Sequence, residues 1–306
     1  MKNLRLGTRG SRLALWQAQH VAFRLESLAP DLKVEIKTIK TIGDKILDVA
    51  LSKIGDKGLF TKEIEKELLA GKIDIAVHSM KDLPSDLPPG LCIAAVLERE
   101  DPRDVLLSHK NYSLAELPEG AVIGTSSLRR IAQLKVWRSD LQLVDMRGNV
   151  ETRIRKMKEQ DLDGIILACA GVKRLGLEGM ISDYLPADLV LPAVGQGMIA
   201  VEARADDPVI LEALSRINHQ DSYLAGQAER AFLHELGGGC QVPVASMADL
   251  RGGQLHIQGL IASLDGKEKY SGTCACSPPE AEKTGRELAR SLLQQGGAAI
   301  LCETRG

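Results

Sequence analysis

Ile73-Asp74-Ile75-Ala76-Val77-His78-Ser79-Met80-Lys81-Asp82-Leu83-Pro84 is the stretch on which the fold turns. Its first five residues read as a buried strand, and residues 61–70 just upstream carry a helical apolar period that stops at Gly71. The same unit recurs toward the start. Residues 3–7 read as a strand, 11–28 as a helix capped by Ser11, and 34–39 as a second alternating strand. Strand and helix in alternation predict a parallel sheet with helices on its faces.

Outward from there, a second alternating block follows. Residues 122–123 lead to a helix from Ser126, residues 141–144 to a helix from Asn149, and residues 164–168 to a helix near Val172. Proline- and glycine-bearing joints at 98–103 and 191–197 flank this block, so it reads as an insertion, and residues 198–202 read as a return to the first sheet. The remainder, about 221–306, reads as a helix, several strands and a helix over 278–295. The predicted class is therefore α/β: two doubly wound domains, plus a small C-terminal α+β domain. The expected bounds are 1–98 with 198–217, then 103–192, then 220–306. Residues 41–60, rich in glycine and lysine, are too long for an ordinary connection and suggest a lid or a disordered loop. Gly195-Gln196-Gly197 only nominally matches a dinucleotide fingerprint, because it precedes a strand instead of opening a helix.

The chain has 306 residues, 44% hydrophobic and 26% charged, with a formal net charge of -2. That balance argues against a general nucleic-acid or membrane-surface binder, and no apolar run approaches the ~18 residues of a membrane span. The start passes directly into a strand pattern without a signal-like segment, and six cysteines in a chain this long do not make a disulfide framework. A reducing, cytoplasmic setting is expected. Cys274, Cys276 and His256 lack the spacing of a zinc site, so no metal is expected.

Chemistry gathers in the loops. Gly237-Gly238-Gly239-Cys240 leaves a cysteine at the tip of a helix-to-strand connection, where a thiol is reachable and can hold a covalent group. The strand-end junctions carry hydroxyls and guanidiniums: Thr8-Arg9-Gly10-Ser11, Gly124-Thr125-Ser126-Ser127-Leu128-Arg129-Arg130, and Arg147-Gly148-Asn149 followed by Arg153. Each alone reads as a solvated turn. Three together at the carboxyl ends of strands predict a ligand with several anionic groups. Asp82 is the lone carboxylate at the corresponding end of the fourth junction, with Lys81 beside it; it is the candidate general acid and counter-charge to a cationic intermediate. His78 reads as a packed residue.

These motifs, with Leu191-Pro192-Ala193-Val194-Gly195-Gln196-Gly197 and Glu229-Arg230, resemble the porphobilinogen deaminase (hydroxymethylbilane synthase) family along nearly the whole chain. Ala245 stands where that family often has glycine. The resemblance implies a hinged pair of periplasmic-binding-protein-like domains and a third domain whose Cys240 carries a dipyrromethane cofactor as a thioether. It implies stepwise condensation of four porphobilinogen molecules on that primer, each losing ammonia, and hydrolytic release of the linear tetrapyrrole. Asp82 would be the catalytic acid. Ser79, Lys81, Asp82, Thr125, Ser127, Arg129, Arg130, Arg147 and Gly148 would hold the cofactor. Arg9, Ser11, Phe60, Arg147, Arg153, Arg174 and Gln196 would serve the substrate, and Lys53 and Lys57 a lid. The implied partner is small-molecule porphobilinogen, and the expected state is a monomer.

Two other classes share some of these features. A hinged anion-binding protein without catalysis would use the same cleft. A cysteine-nucleophile transferase would use Cys240, with only His234 near it in sequence.

Overall fold

The computed structural model describes residues 3–45, 58–238 and 242–305. In chain order its strands are β1 (Asn3–Thr8), β2 (Lys33–Thr38), β3 (Ile75–Ser79), β4 (Leu91–Val96), β5 (Asp104–Leu107), β6 (Val122–Gly124), β7 (Gln142–Val144), β8 (Gly164–Ala168), β9 (Asp183–Leu185) and β10 (Ile199–Arg204). They build two five-stranded sheets, ordered β2-β1-β3-β10-β4 and β7-β6-β8-β5-β9. The two sheets follow one plan. In each, the first three strands are parallel, and the last two add antiparallel pairings.

The all-parallel expectation therefore needs correction for one strand per sheet, β10 in the first and β5 in the second, and the cause lies in the crossings. β5 and β10 are each the first strand laid down after the chain passes from one sheet to the other. Both enter at the carboxyl ends of the parallel strands: Ile199 pairs with Ser79, and Asp104 with Ala168. A strand that starts there can only run the other way. β4, β5, β9 and the helix Pro208–Ser215 had no counterpart in the sequence reading.

The first sheet buries Leu4, Leu6, Ile75 and Val77 against the helix Arg12–Leu28, whose Ala18, Val21, Ala22 and Leu25 form an inward stripe. That stripe has the helical period that made the element legible. Ser11 caps it, accepting from the Ala14 amide at 3.3 Å. The third region is an antiparallel sheet of β11 (Val244–Arg251), β12 (Gln254–Ala262) and β13 (Lys269–Cys276), covered by the helices Gln220–Glu235 and Ala281–Leu292. Fully buried Phe232 sits at their centre, so close to β12 that a Cβ on Gly259 would fall 2.5 Å from its ring. The single helix expected over 278–295 is broken. It consists of a 3-10 turn Pro278–Glu280, the helix Ala281–Leu292, a π-helical turn Leu293–Gly297 with Gly296 at φ 131°, and a last helix Ala298–Arg305.

The two crossings are tied together by the third region. Glu229, with no exposed surface, accepts from Arg99 at 2.6 Å, the Gly195 amide at 2.6 Å and the Ala248 amide at 2.7 Å. Arg99 also donates to the Gln196 carbonyl at 2.9 Å. Every acceptor site of this buried carboxylate is used on a crossing or on β11, which fixes where the two sheets meet.

Candidate functional site

Because both crossings lie at the carboxyl ends of the parallel strands, those ends face each other across one cleft. Two adjoining pockets lie there. The first is lined by Arg9, Ser11, Gln17, Phe60, Thr61, His78, Ser79 and Asp82, among others. The second is lined by Gln17, Ser79, Lys81, Ala168, Gly171, Arg174, Gly195 and Gly197, among others, so it spans both sheets and the second crossing. Asp82 does not end the strand itself, as the sequence reading had it. β3 stops at Ser79, and Met80–Asp82 forms a 3-10 turn that carries Asp82 into the cleft.

Arg9 stacks on Phe60, with its guanidinium carbon 4.2 Å from the ring centroid, and its Nε donates to Asp44 at 3.2 Å. Opposite, the arginines divide into two sets. Arg129 and Arg130 are turned inward: each donates to a different oxygen of Asp104 at 2.7 Å, with further bonds to the carbonyls of Leu191 and Ile166. Gln196 adds its amide to Asp104 at 2.9 Å. Burial alone would raise the Asp104 carboxyl, but the two guanidiniums prevail and hold it far below the usual carboxylate range. Burial likewise lowers Arg129. Arg147 and Arg153 make up the second set, and not every guanidinium nitrogen of this wall is paired. Arg147 Nη1 and Arg130 Nε are buried and have no hydrogen-bond partner among the described residues. Arg153 gives its Nε to the Gly148 carbonyl at 2.8 Å. Its pKa falls to about 10 through burial and the repulsion of Arg130 and Arg147, while the attraction of Asp82 opposes the fall.

Local sequence explains this placement. Gly148 has φ 119°, and a Cβ there would meet Thr152 at 2.6 Å, so the turn between Arg147 and the helix Val150–Glu159 calls for glycine. Asn149 caps that helix by accepting from the Thr152 amide at 2.8 Å. The helix Leu128–Trp137 begins after Ser127, not at Ser126, and the Ser127 amide donates to buried Thr125 at 3.3 Å. Two helix N-termini thus open beside the arginines. Arg174 reaches from the second sheet to the Gly197 carbonyl at 2.7 Å and lies 5.8 Å from the Trp16 ring of the first; burial lowers it to about 10. Cys240, Lys53 and Lys57 lie outside the described residues.

Two residues escaped the sequence reading. Gln17 is buried in the apolar stripe of its helix and donates to Ser79 at 2.8 Å; an amide within a run of small apolar positions was the available signal. Asp104 opens the apolar strand Asp104–Leu107, and a carboxylate at that point called for a cationic partner.

Lys81 retains partial exposure in the cleft yet sits deep among protein atoms. Burial depresses it to about 8, with Arg129 and Arg130 pressing the same way and Asp82 and Asp104 against. Folded protein therefore binds fewer protons than unfolded chain between pH 8 and the ordinary lysine value of about 10.5, so this group's contribution to stability rises with pH across that window. Nuclear magnetic resonance titration of ¹³C-labelled, ligand-free protein is expected to show one lysine with a midpoint near 8 that disappears in Lys81→Gln. A spectrum with every lysine titrating above 10 counts against it.

A cleft between two like sheets, lined by Arg9, Lys81 and Arg174 and, among the described lining residues, by the single carboxylate of Asp82, defines a two-lobed α/β protein for a polycarboxylate ligand. Comparison with known proteins makes the class specific. The family model described as porphobilinogen deaminase, dipyromethane cofactor binding domain, matches residues 4–212, and that of the porphobilinogen deaminase C-terminal domain matches residues 223–294. The chain is 88% identical to the porphobilinogen deaminase of Syntrophomonas wolfei over 305 residues, covering 100% of both chains. It is 56% identical to that of Carboxydothermus hydrogenoformans, covering 99% of this chain and 98% of the relative. The periplasmic VFT2 domain of Bordetella pertussis BvgS is similar over 71% of this chain and 86% of its own, at 12% identity and a TM-score of 0.43. The chain belongs to the porphobilinogen deaminase family. The donor set fits the cofactor of that family. Dipyrromethane presents acetate and propionate carboxylates, and the unpartnered buried donors of Arg147 and Arg130 are of the type that bind them.

Proposed function

We propose that this chain condenses porphobilinogen, with loss of ammonia, into the linear tetrapyrrole hydroxymethylbilane on a dipyrromethane held by Cys240, as a monomeric transferase of the cytoplasm. The observation that carries the reading is the charge pattern. Asp82 is the one carboxylate among the described residues lining the two pockets, whose cations are Arg9, Lys81 and Arg174, with Arg153 close enough to feel its charge.

The bound dipyrromethane supplies a pyrrole α-carbon as nucleophile. The protein supplies the rest. Asp82 steers the departing amine, offsets the positive charge left on the substrate when the C–N bond breaks, and takes the ring proton once the new C–C bond has formed. Lys81, Arg147, Arg153 and the unpaired Nε of Arg130 bind carboxylates of primer and substrate, with Ser79, Thr125, Ser127 and Gly148 beside them. Arg9, on Phe60, and Ser11 orient the incoming substrate, and Arg174 and Gln196 act at the crossing. Arg129 acts chiefly by holding Asp104. Domains at 1–98 with 198–217, 103–192 and 220–306 accompany this reading. Free thiols at Cys92, Cys169, Cys274, Cys276 and Cys302 support a reducing compartment.

Intact mass of the denatured protein tests the proposal. The expected result is an excess of one dipyrromethane that peptide mapping assigns to Cys240. Protein that carries no adduct and gains none on incubation with porphobilinogen would instead be an anion-binding module.

A further inference from the structure

Behind the first pocket lies a group of ionisable side chains that the mechanism above leaves idle. β3 and β10 pair antiparallel with Ala200 opposite His78 and Glu202 opposite Ala76, which places His78 and Glu202 on one face of the sheet. Their side chains approach to 3.2 Å between Nε2 and Oε2, close enough for an ion pair but not aligned for a hydrogen bond. The helix Lys62–Leu69 lays Glu65 over the same face. Glu202, Glu65 and His78 are 0%, 4% and 5% exposed. Both oxygens of Glu202 and Oε1 of Glu65 lack any hydrogen-bond partner among the described residues.

Two carboxylates buried this deeply beside one imidazole cannot both stay ionised cheaply. Every packed element adds a charge to consider. Lys62 faces Glu65 from its own helix, while Cys92 on β4 and Arg230 on the helix Gln220–Glu235 face Glu202. Burial raises the Glu65 pKa, and Glu202 raises it further against the opposing pull of His78 and Lys62. The group is not sealed off. His78 and Thr61, the residue just before the Glu65 helix, line the pocket that holds Asp82.

We propose that Glu65, Glu202 and His78 form a proton-holding site beneath the substrate pocket, which takes up through His78 the proton freed in each condensation and later returns it to solvent. The inference rests on the condensation chemistry proposed above. In that chemistry the substrate's ammonium leaves as neutral ammonia with the C–N bonding pair. The attacking ring then forms the C–C bond and breaks one C–H bond. The C–H electron pair restores the ring, and one proton is left in the cleft. Asp82 meets that proton first. A buried carboxylate pair with an imidazole at the pocket wall can clear it before the next substrate enters. Glu65 and Glu202 act through Asp82 and are positioning residues, not catalytic ones.

Infrared difference spectroscopy on the holoenzyme is the test. The resting spectrum is expected to contain a protonated-carboxyl stretch that shifts in heavy water and is lost in Glu65→Gln. During turnover of porphobilinogen by wild-type protein, the band should change in step with ammonia release. Glutamine copies the shape of the neutral acid, so Glu65→Gln should fold, and its thermal stability should gain on wild type as pH rises above the usual carboxyl range. A raised pKa stabilises the fold only while the proton is held. Its kcat should fall about tenfold and lose one limb of its pH profile, with KM within about twofold. A wild-type band that stays constant through turnover, or a band that survives in Glu65→Gln, overturns the proton site while leaving the condensation intact. Wild-type protein that releases no ammonia overturns the condensation and this role with it. The wild-type measurement needs no variant, so the proposal stays testable if Glu65→Gln misfolds.

Discussion

Asp82→Asn is expected to lower porphobilinogen turnover by about a thousandfold or more while leaving the protein folded and its primer attached. Asparagine keeps the size and one acceptor of the side chain but removes both the proton it exchanges and the negative charge. The charge matters most here, because Arg9 lines the same pocket, Lys81 is the preceding residue and Arg153 is close enough to feel its charge. A cation developing on the substrate in such a cleft has only Asp82 to offset it among the described lining residues, and without it the cationic walls oppose C–N cleavage. Binding should suffer less, since the carboxylate donors are on other residues; KM should change little against the fall in kcat. Single-turnover ammonia release, with intact mass confirming the adduct, separates chemistry from assembly. Turnover within tenfold of wild type would remove Asp82 from the reaction and return the cleft to simple anion binding.

Much of this site was readable from local sequence, and what was not readable has a definite physical cause. Ser11, Asn149 and Gly71 mark helix ends through backbone chemistry that depends only on neighbours a few residues away. The junction motifs and Asp82 came with the strand-to-helix units, and the cleft between them followed from the general geometry of doubly wound sheets. Strand direction did not. β5 and β10 reverse because the chain re-enters each sheet at the cleft side, a property of the crossings and not of the strands' own residues. Guanidinium direction was hidden for a similar reason. Arg129 and Arg130 sit in the same motif as Ser127, but they turn toward Asp104 on a strand more than twenty residues earlier. The link between His78 and Glu202 spans still more chain, and nothing near either residue announces it.

Asp104→Ala should be the most damaging single change to stability, at about 3–5 kcal/mol. Asp104 is fully buried, and its two oxygens take Arg129, Arg130 and the Gln196 amide. Alanine removes the carboxylate to which two nearly buried guanidiniums, at 5% exposure each, donate. Unlike a surface pair, these groups cannot turn to water. The pH dependence identifies the cause. The folded-state pKa of Asp104 is depressed, so its contribution is present above the ordinary carboxylate value of about 3.9 and is lost as pH falls below it. Urea unfolding should therefore show the full gap between wild type and variant at neutral pH and a narrowing gap in acid. The same variant also decides what the inward turn of the arginines is for. If Asp104 only anchors the fold, Asp104→Ala that still folds should acquire its primer normally. If Asp104 sets the direction of Arg130 so that Nε alone is left unpaired, the freed guanidinium will swing away from its native direction, and primer assembly or elongation will fail in protein that is otherwise folded. A variant within 1 kcal/mol of wild type at neutral pH would mean that solvent reaches the arginines after all, and the buried-cluster account of this wall would fall.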